Sequence, residues 1–219
     1  MIYFPGFAAL HPGYMGIEMD QIINQVTVIL QTLQKNLYFT LCLVGSLYLI
    51  HIVNCLLGHR LIFLGIYPRK VPGLIGVPCS PFIHGNFNHL FFNSIPLFVL
   101  VSFVLLYGFP TFYVVSAIIM LFSGVAVWMF ARKGFHVGAS GVIMGYWGYL
   151  LVNAYYHPTI LSVAIAVVCL YYFGGLLFNL FPQEVKSSWE AHIFGFLSGV
   201  AASYMTPYIL HQTTQTTFY

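Results

Sequence analysis

A serine, two histidines and an asparagine stand in runs of residues that are otherwise apolar. Ser140 lies in Gly138-Ala139-Ser140-Gly141 and His192 in Trp189-Glu190-Ala191-His192, while His89 and Asn93 share Asn88-His89-Leu90-Phe91-Phe92-Asn93. Polar groups in such runs are costly inside hydrocarbon, so each one reads first as functional. A hydroxyl and a neutral imidazole supply a nucleophile and a general base. What is missing narrows the chemistry. From Gln21 to Gln183 there is no Asp or Glu, and the one Asp is Asp20. A carboxylate dyad and H-E-x-x-H zinc hydrolysis are therefore excluded. Glu190 precedes His192 by two residues, about 200° around a helix, and so points away from it, which excludes a Ser-His-acid triad. A Ser140–His192 dyad is left. Ser140 opens a helix, where free N–H groups and the dipole favour developing negative charge. Its N–H, with the side chains of His89 and Asn93 four residues apart on one helical face, would form an oxyanion hole. One donor of that kind is worth about 2.7–4 kcal/mol in the transition state.

The elements that must carry these residues follow from composition. The chain has 219 residues, 60% hydrophobic and only 5% charged, against roughly 25% charged in a soluble domain. That excludes a soluble monomer and points to one polytopic all-α membrane protein, since backbone in lipid must satisfy its own hydrogen bonds. Hydropathy gives six spans, approximately at 37–57, 89–108, 111–130, 140–156, 158–181 and 191–210. Gly108-Phe109-Pro110, Arg132-Lys133-Gly134, His157-Pro158 and Phe181-Pro182 punctuate them. Residues 1–36 form an N-terminal segment in which Ile22, Val26, Ile29, Leu30 and Leu33 share a face, giving a helix that lies at the interface or extends the first span. Residues 211–219 form a C-terminal tail. The first cation is Lys35, so neither a basic leader nor an Arg-rich transit peptide is expected. A net charge of +3 from seven scattered Lys/Arg and four acids makes no stripe for nucleic acid. Cysteines at 42, 55, 79 and 169 lack C-x-x-C spacing, and neither a disulfide framework, a metal nor a cofactor is expected.

Successive spans alternate in direction, so the second, fourth and sixth begin on one side of the membrane, and their polar groups can converge. The fourth is short: 16 or so residues cover about 24 Å of a roughly 30 Å core, which places Ser140 below the surface. Gly195 and Gly199 follow His192 on its own face, and Gly141, Gly145 and Gly148 form a second smooth strip beside Ser140. Such strips let two backbones touch.

At these positions the chain resembles the rhomboid intramembrane serine proteases, in their minimal six-span bacterial layout. The likeness covers about residues 37–210. It rests on His84-Gly85-Asn86-Phe87-Asn88-His89 running into Asn93, on Gly-x-Ser-Gly at 138–141, and on Ala191-His192 followed by Gly195 and Gly199. The resemblance implies Ser140 as nucleophile, His192 as general base and acid, His89 and Asn93 as oxyanion donors, and His84 as a supporting histidine. It further implies cleavage of transmembrane protein segments in the lipid bilayer of a bacterial inner membrane. Relatives often carry a Trp-Arg pair in the first loop; no Trp precedes Trp128 here, so residues 58–84 are expected to form a shorter or differently anchored loop. Relatives often place an aromatic residue four after the serine, where this chain has Met144. With the family's inward N-terminus every cation but Lys35 faces outward, which inverts the positive-inside rule.

The alternatives are a catalytically silent relative that binds membrane helices and a small transporter. An intact Ser-His pair argues against the first, and the clustering of polar residues on one side against the second. The other histidines, at 11, 51, 59, 136, 157 and 211, read as interfacial, and residues 182–189 as a lid or a connector.

Overall fold

The computed structural model describes residues 12–175 and 189–216. Its long helices are α1 (Pro12–Leu56), α3 (Phe87–Leu105), α4 (Phe109–Phe130), α5 (Ser140–Tyr156), α6 (Ile160–Phe173) and α7 (Trp189–Thr216), and the short α2 (Gly76–Cys79) lies among 3₁₀ turns between α1 and α3. Among the described residues no strand forms, only an isolated antiparallel bridge between Ile66 and His136. This is an all-α integral membrane protein, and its surroundings are the lipid bilayer.

The sequence predicts six spans; among the described residues four helices are long and apolar enough to cross a membrane, at Ile23–Leu56, Phe87–Leu105, Phe109–Phe130 and Trp189–Gln212. At 17 residues, α5 rises only about 25 Å. The 14 residues of α6 are shorter still, and the end of the expected fifth span lies outside the described residues.

Of the expected N-terminal segment, residues 12–36 belong to α1, the same helix as the first span, and residues 1–11 lie outside the described residues. Polar residues in that part of α1 find partners within the protein: Thr27 and Thr32 donate to the carbonyls of Ile23 and Val28, and buried Asn36 donates to the Leu105 carbonyl at 3.3 Å. His51 departs from the sequence reading, being buried within α1 rather than interfacial.

One core joins Leu90, Leu100, Val101 and Val104 of α3, Val115 and Ile119 of α4, and Met144, Trp147 and Leu150 of α5, with Leu47 of α1. Trp147 ties α5 to α6 by donating to the Cys169 carbonyl at 3.3 Å. A second, small cluster of Ile66, Val127 and Ala131 gathers the first loop, the end of α4 and the start of α7, where Ala191 and Phe194 pack on it. That cluster sits over the candidate site.

Candidate active site

The site begins at the N-terminus of α3. Asn86 is extended and its side chain accepts the His89 N–H at 2.8 Å, capping the helix. That cap fixes His89 in the first turn and Asn93 one turn further on. His84, fully buried just before the cap, accepts two hydrogen bonds at Nε2, from the Ala139 N–H at 3.3 Å and from Asn93 Nδ2 at 3.2 Å. A ring nitrogen that accepts carries no proton, so His84 is the Nδ1–H tautomer. Burial first, then the charges of His89 and His51, hold its pKa down at about 4. The rings of His84 and His89 meet edge-to-face at 5.2 Å.

The loop from Ala131 to Ala139 delivers Ser140 to the same place. Gly138 has φ +117°, and its N–H donates to the Ser80 carbonyl at 2.9 Å. A Cβ built there would collide with the His89 ring, so the glycine both permits the turn and makes room for the imidazole. Ser140 is the first residue of α5 and half-buried. The N–H groups of that first turn have no intrahelical partner.

His192 lies in the first turn of α7. A Cβ on Gly195 would fall on the Gly141 carbonyl, and one on Gly199 on the Gly145 carbonyl. One on Gly141 would sit 3.2 Å from the Ala191 carbonyl. The two backbones are in contact along these glycines, so the turns that carry Ser140 and His192 are neighbours. His89 is near enough to His192 for their charges to interact. The structure thus brings Ser140, His89, Asn93, His84, Gly138 and Gly141 to one end of the bundle with the helix start that bears His192, and Gly195 and Gly199 line the α5–α7 contact that continues from there. Met144 is wholly buried in the main core. Residues 182–188 of the expected lid or connector lie outside the described residues.

Several contacts here were not read from the sequence. The Arg132 guanidinium donates to both carboxylate oxygens of Glu190, which is buried. The signal was a lone acid at the mouth of a span, which requires a partner. The first loop is anchored differently from the family pattern: Trp128 Nε1 donates to the Lys70 carbonyl at 2.9 Å, and Arg69 to the carbonyls of Met129 and Ala131 at 3.2 and 2.9 Å. A tryptophan and an arginine hold the loop after all, but the tryptophan comes from α4. A cavity of about 40 Å³ lies beside Ser140, lined in part by Ser80, Ser123, His136, Gly138, Gly141 and Ala191. That is room for a water among polar partners. Among the described residues no cluster of three His, Cys, Asp or Glu could hold a metal.

The Rhomboid domain family model matches residues 73–209, which include every residue from His84 to Gly199. The chain belongs to the rhomboid family. This rhomboid is 36% identical over 174 residues to uncharacterized proteins of Mycobacterium bovis and Mycobacterium tuberculosis, covering 75% of this chain and 72% of theirs. A Mycobacterium leprae protein, also uncharacterized, is 33% identical over the same length and is covered to 69%.

Proposed function

We propose that this rhomboid is an intramembrane serine endopeptidase of a bacterial inner membrane that cleaves transmembrane segments of other proteins. The observation that carries this reading is the backbone contact of α5 with α7 at Gly141, Ala191 and Gly195, which makes the first turns of the two helices neighbours. In this reading Ser140 Oγ attacks the scissile carbonyl as His192 takes its proton, and His192 returns that proton to the leaving amine. Water then attacks the acyl-enzyme with the same imidazole as base.

The tetrahedral oxyanion would be met by the Ser140 N–H, His89 and Asn93. His84 is a positioning residue: by accepting from Ala139 and Asn93 together it ties the backbone before the nucleophile to an oxyanion donor. Substrates would carry small or helix-breaking residues near the cut, because a helical peptide bond is shielded and must unwind. The mycobacterial relatives favour a bacterial membrane. The test is cleavage of a single-span substrate in proteoliposomes. Ser140→Ala and His192→Ala should each abolish it while the protein stays folded, and cleavage surviving in either contradicts the dyad.

A further inference from the structure

We infer that the Arg132–Glu190 ion pair is a latch that sets the rotation of α7, and with it the aim of His192 at Ser140. The inference rests on the hydrolase reading above and adds two positioning residues to it.

Gly195 and Gly199 lie three and seven residues after His192, so all three share the side of α7 that faces α5. Smooth strips fix how closely two helices approach, while the rings that interlock α7 with its neighbours, Phe194 with Phe130, Phe196 with Trp147 and Tyr204 with Tyr156, all come after His192. An imidazole about 6 Å from the helix axis moves about 2 Å for a 20° rotation, estimated from helix dimensions. A misplacement of about 1 Å can cost a hundredfold in rate. A directional contact in the first turn is therefore needed.

Glu190 supplies it. Glu190 is 6% exposed, and its carboxylate takes three donors from one residue: Arg132 Nε, Arg132 Nη2 at 3.2 Å and the Arg132 backbone N–H at 3.4 Å. A planar guanidinium on a carboxylate fixes orientation as well as distance. Arg132 is itself held, because its carbonyl is bonded to His136 Nε2 at 2.9 Å and His136 pairs with Ile66 through two backbone hydrogen bonds. The latch thus ties the start of α7 to the loop that delivers Ser140 and, through Ile66, to the first loop. The Arg132 side chain is half exposed, and an ion pair open to water on one side adds little to stability alone. Its yield here is direction.

The experiment compares the wild type with Arg132→Met/Glu190→Leu, which removes both charges and strands neither, and with Arg132→Lys, which keeps the charge but not the fork. Thermal midpoint, kcat and KM on a reconstituted single-span substrate, and the rate of fluorophosphonate labelling at Ser140 are measured for each. The double variant should keep its thermal midpoint, lose ten- to a hundredfold in kcat and in labelling rate, and leave KM within twofold. Arg132→Lys should fall between, three- to tenfold down. A folded double variant with kcat and labelling within twofold of wild type overturns the latch. If the double variant does not fold, Arg132→Lys decides: an unchanged rate at an unchanged midpoint overturns the latch. Wild type that neither labels nor cleaves overturns the hydrolase reading itself, and the latch with it.

Discussion

Gly195 of α7 rests on the carbonyl of Gly141 of α5, so near that any side chain would occupy the same space. Substituting alanine must push the helices apart, and Gly199 against Gly145 repeats the relationship one turn on. Gly195→Ala should cost about 1–3 kcal/mol in overpacking and remove activity with it. Gly45→Ala is the control, because nothing lies within 4 Å of a Cβ there in the middle of α1. That change should be neutral or add up to about 1 kcal/mol through helix propensity. Thermal unfolding in micelles reads both.

Gly138→Ala should affect activity more than stability. The backbone strain of a non-glycine residue at φ +117° is local, but the new methyl meets the His89 ring. Cleavage should fall at least tenfold with the helix content unchanged by circular dichroism, and full activity would show that the His89 position does not matter.

Asn93→Ala should lower kcat by about a hundred- to a thousandfold, the range for one oxyanion donor, with KM little changed. Steady-state kinetics on the reconstituted substrate checks this. A change confined to KM would mean that Asn93 binds substrate rather than stabilising the transition state.

His84 makes stability depend on pH. In the fold it takes a proton only at about 4, against 6.5 for an ordinary histidine. Between these values the unfolded chain binds more protons, so stability rises with pH across that window. The contribution is full above 6.5 and is lost as pH falls, amounting to about 3 kcal/mol by pH 4. His84→Gln keeps an acceptor for Ala139 and Asn93 but does not titrate, so its thermal midpoint should fall less steeply between pH 6.5 and 4. Parallel profiles would contradict the assignment.

The helices that carry the site were legible because their signals are local. The predicted fourth span, 140–156, has the bounds of α5, and the glycine spacing after His192 foretold the contact of α5 with α7. Other features depend on partners distant in sequence. Nothing local in the sequence offers Asn36 a partner, and its amide donates to the carbonyl of Leu105, 69 residues further on. Arg132 and Glu190 are 58 residues apart, and nothing local in the sequence pairs them. The anchoring of the first loop by Trp128 is likewise a contact between elements, invisible to a search for tryptophan inside the loop. His51 looked interfacial from its place near a span end, but it is buried, close enough to His84 of the loop before α3 for their charges to interact.

The central claim is that Ser140 is an activated nucleophile, and reaction with a fluorophosphonate followed by peptide mapping tests it most directly. The account predicts one phosphonyl adduct on the wild type, located at Ser140, absent from Ser140→Ala and strongly reduced in His192→Ala. A folded wild-type protein that forms no adduct, or forms it at another serine, would contradict the account.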